Sequence, residues 1–248
     1  MKPPGTVARR IEQGSPIPPG GAERFVGYGV MGLPFSSGHV LALRRFPSSS
    51  IGPGYTAIWH RTAQGSWTIW ADIEPPKACP RYFGSELEQA IQAPIELLWR
   101  DPFRMTAKIY AGQALDWQIE IGSTFVTRSL SAVAKMIPDS LWRRRSVRTV
   151  MGAVAGPLLG AGRLSLDGIA PNGQWFEANP KLIWFVTGGR ALLHGADLGP
   201  SGSLDQQGSL GDFLIPQRGI FAVGQSLFEP FAEGRHLAVT TREANRDP

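Results

Sequence analysis

A single cysteine, Cys79, stands in a chain of 248 residues. It excludes an intrachain disulfide and a multi-cysteine zinc cluster, and it fits a reducing compartment, so a cytoplasmic location is expected. Lysine is nearly as scarce. Only Lys2, Lys77, Lys108, Lys135 and Lys181 occur, which leaves few candidates for covalent amine chemistry. The histidines, His39, His60, His194 and His236, are scattered without the spacing of a metal site, so neither a metal nor a cofactor is expected. No uninterrupted apolar stretch reaches the roughly 18–20 residues needed to span a bilayer. Lys2, Arg9 and Arg10 are not followed by an apolar run, so no signal peptide is expected.

Turn formers and aromatic residues are plentiful. There are 30 glycines, 21 prolines and 8 tryptophans, and the apolar fraction of 42% is that of a globular protein rather than a disordered one. The formal charge is +5, carried almost wholly by arginine. A basic balance favours anionic partners, but no nucleic-acid motif accompanies it, so nucleic acid is not an expected partner.

Periodicity divides the chain. Residues 1–24, rich in Pro and Gly, read as an extended N-terminal arm, residues 25–240 as one β-rich domain, and residues 241–248 as a frayed tail. Tyr55, Ala57 and Trp59 alternate with Thr56, Ile58 and His60. After a turn at 62–66, Trp67, Ile69, Ala71 and Ile73 alternate with Thr68, Trp70 and Asp72, which makes a hairpin. Residues 85–92 suggest a short helix, with Ser85 and Glu88 spaced as a capping box. Alternation over 95–99, 103–109 and 117–121, with a turn at Ala111-Gly112, marks antiparallel strands over a core. Residues 124–159 lose the two-residue period and read as a pair of helices broken at Pro138. Strands return at 163–167, 174–177 and 182–186, with Asn172-Gly173 as a hairpin turn. The expected fold class is α+β, mainly antiparallel. Its barrel-like sheet would wrap an apolar cavity, with a helical pair inserted at about 124–159.

The run Pro47-Ser48-Ser49-Ser50-Ile51-Gly52-Pro53-Gly54-Tyr55 resembles the Ser-[Ser/Pro]-[Ile/Val]-Gly-Pro-Tyr lead-in to a strand in acetoacetate decarboxylase-like proteins. Pro80-Arg81-Tyr82-Phe83-Gly84 is similar to that family's Arg-containing segment ending in aromatic-Gly, and Gly160-Ala161-Gly162-Arg163-Leu164 is loosely similar to a later strand. The resemblance spans about residues 35–190 and implies the family's fold and cavity. Its decarboxylases use a Schiff-base lysine after the aromatic-Gly segment, yet residues 85–95 hold no lysine. A glutamate the family places soon after its Gly-Pro-Tyr is absent from 56–60. Trp59-His60, Gly65-Ser66-Trp67 and Leu166-Asp167-Gly168 also resemble lipocalin-like carotenoid hydratases and cyclases, which implies an antiparallel sheet around an apolar pocket as well.

The candidate chemistry is modest. His60 and Asp72, on opposite limbs of the hairpin, would form an oriented general base; the alternative is a structural histidine. Arg81 and Tyr82 would anchor a ligand carboxylate, the alternative for Arg81 being a loop salt bridge with Asp72 or Glu74. Tyr55, Trp59 and Trp70 would line the ligand cavity. Lys77 and Lys108 are the lysines open to a relocated decarboxylase chemistry. Arg143, Arg144, Arg145 and Arg148, read as a basic helix over 141–148, would rest on an anionic membrane or form a solvated face. Binding, or non-covalent transformation, of an apolar small molecule is the leading expectation. A decarboxylase-type lyase and a membrane-surface adaptor are the alternatives.

Overall fold

The computed structural model describes residues 1–110 and 114–238. The expected turn at Ala111-Gly112 and the tail at 241–248 lie outside the described residues.

The chain opens with helix α1 (Pro4–Glu12) where an extended arm was expected. Pro4 in the first turn needs no hydrogen-bond donor and already has a helical φ. Ala8 and Ile11 then fall on one face and bury. Strands β1 (Glu23–Val30), β2 (Leu33–Pro34) and β3 (Val40–Ser49) follow, and then the hairpin β4 (Tyr55–Arg61) and β5 (Trp67–Ala71). Phe46 already pairs with Tyr55, so the first residues of the Ser/Gly/Pro run lie in strand and the turn itself begins after Ser49. Beyond the short helix α2 (Pro80–Phe83), the residues expected as a helix form a 3-10 turn at Gly84–Glu86 and a strand, β6 (Gln89–Gln92). No side chain caps that turn, and β6 instead covers the edge of β5 in parallel pairing.

Strands β7 (Ile95–Trp99), β8 (Arg104–Ile109) and β9 (Leu115–Gly122) make the expected meander. The inserted segment holds three helices, not two: α3 (Phe125–Met136), α4 (Asp139–Trp142) and α5 (Arg145–Leu159). Strand β10 (Asp167–Ile169) turns through Asn172-Gly173 into the long β11 (Trp175–Leu193). The rest comprises β12 (Ala196–Asp197), β13 (Ser209–Leu210), β14 (Phe213–Leu214) and β15 (Ile220–Phe228).

The main sheet runs β6-β5-β4-β3-β1-β15-β11-β9-β8-β7, antiparallel except at β5–β6. Its two outer strands are neighbours in sequence: β6 ends at Gln92 and β7 begins at Ile95. A link that short spans at most about 10 Å. The two ends of the path are therefore brought together, and the sheet curls into a barrel-like form. One apolar cluster confirms the curl, because every strand of the path contributes to it, with Leu41, Ile58, Trp70, Met105, Trp117, Trp184 and Phe221 among its members. This inner core is filled by side chains. The outward face of the sheet carries two further clusters, one under α2 and β13–β14 and one under α3 and α5.

Backbone hydrogen bonding explains why the helices sit where they do. Strand β11 pairs with β15 over 176–185, but with β9 only from Phe185 onward. β10 covers that side at 175–177, but the stretch between there and Phe185 would leave buried backbone groups unpaired, which is costly. The helices supply partners. The Trp142 indole N–H donates to Ala178 O (2.9 Å), and Ser131 Oγ accepts from Ile183 N–H (2.9 Å). Helix α3 starts cleanly because Thr124 and Thr127 cap one another reciprocally. The glycine-rich run that follows is a packing device. A Cβ on Gly156 would lie 2.4 Å from Gly162 O, so only glycine lets α5 press onto the segment after it. No helix among the described residues is long and apolar enough to cross a membrane.

Candidate functional site

Two adjoining cavities lie on the outward face of the sheet, whereas a cavity inside the curl was expected. The larger, about 130 Å³, is roofed by α3 and α5, with Leu130, Ala134, Ala155 and Leu159 facing the sheet. Its floor includes Gly27 and Gly224, which stand opposite each other on β1 and β15. A Cβ on Gly27 would come within 2.0 Å of Arg45 O, and one on Gly224 within 2.2 Å of Asn179 O. Glycine at both places lets the strands approach and leaves the floor low. The smaller cavity, about 40 Å³, is ringed by Tyr55, Trp59, Tyr82, Phe83 and Phe228. Arg44, Phe46, Ala178, Phe213 and Ser226 border both.

Arg44 is the unusual group. It shares parity on β3 with Val40, Ala42 and Phe46, so its side chain leaves the sheet on the apolar outward face and is 5% exposed. A buried guanidinium normally has a carboxylate beside it. Arg44 has no carboxylate partner among the described residues. Its Nη1 donates to Val30 O (2.6 Å) and Leu43 O (3.0 Å), and Nη2 donates to Met31 O (3.2 Å). Nε and the second Nη2 hydrogen make no hydrogen bond among the described residues. The guanidinium lies 4.7 Å from the centre of the Trp59 ring and 5.4 Å from that of Phe213. Burial pushes it down to about 10, so it keeps its charge at neutral pH.

The surroundings are aromatic, with a few polar atoms. The Trp59 indole N–H is buried without a hydrogen-bond partner among the described residues. Tyr55 Oη and Cys79 Sγ lie 3.4 Å apart, and burial drives both groups toward their neutral forms. Glu177 also borders the smaller cavity, paired at 3.1 Å with Arg148 Nη2. Burial pushes the Glu177 carboxyl up, against the pull of Arg148 and with the help of Asp167. The site thus sets a buried guanidinium beside apolar space, an arrangement suited to an anionic head with an apolar body.

The sequence-expected residues divide between the two faces. Tyr55, Trp59 and Tyr82 meet at the smaller cavity. Trp70 lies on the other face, in the inner core, stacked on His60 at 6.1 Å. Arg81 is held by Glu23 (Nη2–Oε1 2.6 Å, Nε–Oε2 3.0 Å), to which Tyr82 Oη also donates (2.6 Å). The salt bridge weighed for Arg81 exists, but with Glu23 rather than Asp72 or Glu74. Burial pushes the Glu23 carboxyl up, and the Arg81 and Tyr82 hydrogen bonds outweigh it, so the group sits below its ordinary value.

The His60–Asp72 dyad does not form. His60 faces Thr68 across the hairpin, while Asp72 lies beside Thr56, whose N–H donates to its carboxylate (2.7 Å). That offset is four residues along β4, or about 13 Å. His60 Nε2 instead meets His39 Nδ1 at 2.8 Å. Burial first, and the nearby His39 and His194 next, push His60 down to about 4. It is neutral at pH 7, and its folded value lies below the 6.5 of an ordinary histidine. Stability is therefore expected to fall as pH drops from 6.5 toward 4, at a slope approaching about 1.4 kcal/mol per pH unit. Urea midpoints measured across that window for the wild type and His60→Gln check this; parallel curves would refute it.

The basic run is corrected twice. Residues 141–148 are not one helix, since α4 ends at Trp142 and α5 begins at Arg145. Arg143, Arg144 and Arg145 are exposed, but Arg148 is 2% exposed and bonded to Asp167 (2.8 Å) as well as Glu177. No lysine borders either cavity. Lys77 pairs with Glu74 (3.1 Å) and Lys108 with Asp116 (2.8 Å).

No family model matches the sequence, and no curated protein matches it. Among solved structures, the chain is similar to an acetoacetate decarboxylase from Legionella pneumophila, at 13% identity, a TM-score of 0.41, and coverage of 94% of this chain and 96% of that one. It is also similar to an acetoacetate decarboxylase structure at 10% identity, a TM-score of 0.41, and coverage of 89% and 90%. This likeness concerns the overall course of the chain and assigns no role to any residue.

Proposed function

We propose that this protein binds a small apolar molecule carrying one anionic group, a carboxylate by preference, with its head on Arg44 and its body in the cavity beneath α3 and α5. The observation that supports this reading is the buried Arg44 guanidinium, which has unused donors and no carboxylate partner among the described residues, at the junction of two apolar cavities. Apolar cavities near 150 Å³ take a benzene-sized guest, so the ligand is a single-ring or short branched-chain acid rather than a long lipid. A carboxylate is favoured because the planar guanidinium matches its two oxygens. Schiff-base decarboxylation is not proposed, because no lysine borders the cavities.

Titrating matched pairs of single-ring and branched-chain acids and alcohols, read by the fluorescence of Trp59 and Trp142, tests the reading. The acid of a pair is expected to bind at least about tenfold tighter than its alcohol, the gain of one charge-assisted hydrogen-bonded pair. Equal affinities across the pairs, or no response to any of them, would overturn it.

A further inference from the structure

The helices that roof the larger cavity turn an apolar side outward. On α5, Val150, Val154 and Leu158 recur at helical spacing, all exposed, opposite the buried row Arg148, Gly152, Ala155 and Leu159. On α3, Phe125 and Met136 are 77% and 80% exposed, away from the buried Thr127, Leu130 and Ala134. Both helices lie on the same outward face of the sheet, α3 against β11 and α5 against α3 and β10, so these rows point away from the body together. Surface helices ordinarily turn charge to the water.

Charge surrounds this apolar surface, and it is of one sign. Residues 123–160 hold Arg128, Lys135, Arg143, Arg144, Arg145 and Arg148 against one acid, Asp139. That is an excess of +5, equal to the net charge of the whole chain. Arg148 is buried with its own carboxylates, and Asp139 is engaged by Lys181 at 2.9 Å. The exposed cations are therefore Arg128, Lys135, Arg143, Arg144 and Arg145.

We infer that this face docks on an anionic phospholipid surface, with Phe125, Met136, Val150, Val154 and Leu158 in the headgroup–acyl boundary and the arginines on the lipid phosphates. A bilayer surface offers both an apolar layer and a dense sheet of negative charge. A second copy of this chain offers the apolar layer only, and a two-fold contact would set the cations of one face against those of the other. Neither α3 nor α5 is long enough to cross, so contact is in the plane of the surface. The inference stands apart from ligand binding: it needs the outward sides of α3 and α5, and the cavity needs their inward sides.

Flotation of the full chain with vesicles of mixed phosphatidylcholine and phosphatidylglycerol, against phosphatidylcholine alone, is the test. Binding is expected to the mixed vesicles only, and to weaken with salt. Replacing Arg143, Arg144 and Arg145 together by Ala should lower the partition coefficient roughly a hundredfold, about fivefold for each arginine. The pair Val150→Asp and Val154→Asp should abolish binding. Both variants should keep the circular dichroism spectrum and the acid affinity of the wild type, which separates loss of docking from loss of fold or of the ligand site. Absence of flotation, or flotation indifferent to both variants, would overturn the inference. So would a concentration-dependent dimer, free of lipid, that Val150→Asp and Val154→Asp dissolves, because the face would then be an interface between copies.

Discussion

Replacing Arg148 by Ala is expected to cost about 3–5 kcal/mol, among the largest effects of any single substitution in this chain. The guanidinium is 2% exposed and makes three kinds of contact: Asp167 through Nε, Glu177 through Nη2, and Trp142 O through Nη1 (3.0 Å). It joins α5 to the β10–β11 hairpin and to the end of α4. Removing it strands two carboxylates beside one another and an acceptor with no donor. The cost arises mainly from those abandoned groups rather than from the pair's intrinsic strength. The neighbouring exposed Arg143→Ala should change stability by no more than about 0.5 kcal/mol and serves as the control. Urea unfolding of the three proteins at pH 7 decides the matter, and a loss below about 1 kcal/mol for Arg148→Ala would show that the cluster is not holding the helices.

Arg44→Met should have a different signature. Affinity for an acid ligand is expected to fall by about 30- to 1000-fold, as for other desolvated charge pairs that lose one partner. Affinity for the matching alcohol should hold within about threefold, because methionine restores apolar contact. Folding stability is subject to opposed effects. Val30 O, Leu43 O and Met31 O lose a donor, while the cost of keeping an unpaired guanidinium away from water disappears. The informative quantity is the ratio of acid to alcohol affinity, which a merely structural arginine would leave unchanged. If both ligands weaken in parallel in calorimetric titrations, Arg44 shapes the cavity but does not bind the head.

Much of the sheet is legible in the sequence. The strands at 55–61, 67–71, 95–99, 104–109 and 115–122 announce themselves because side chains alternate between two environments. For the first hairpin those environments are two apolar layers, one inside the curl and one beneath α2, so alternation alone did not say which face holds the ligand. That is why Tyr55 and Trp59 reach the cavity while His60, Trp70 and Asp72 do not. Local signals misled where tertiary pairing prevailed. Ser85 and Glu88 imitate a helix cap, but the open edge of β5 draws Gln89–Gln92 into the sheet. The Pro and Gly content of residues 1–24 suggests an arm, yet Ala8 and Ile11 have the inner core to bury against. Arg44 carried a readable hint, a charge at the parity of Val40, Ala42 and Phe46, obscured by the ordinary surface partner Arg45 at its side, which pairs with Glu12 (2.8 Å). The meeting of Arg44 with Trp59 and Phe213 depends on contacts between distant parts of the chain, and no short window contains it.

The last strand in sequence lies in the middle of the sheet. β15 joins β1 on one side to β11 on the other, and among the described residues it is the only strand that links the two half-sheets. During synthesis the first half-sheet is complete once β6 has emerged, and the second once β11 has, but they cannot be zipped together until the ribosome has delivered Ile220–Phe228. Until then β1 and β11 each offer a bare hydrogen-bonding edge and half of an uncovered apolar core, the condition under which nascent β-proteins stick to one another. The chain's assembly is thus governed by its final strand, with the high contact order and slow closure that such an arrangement imposes.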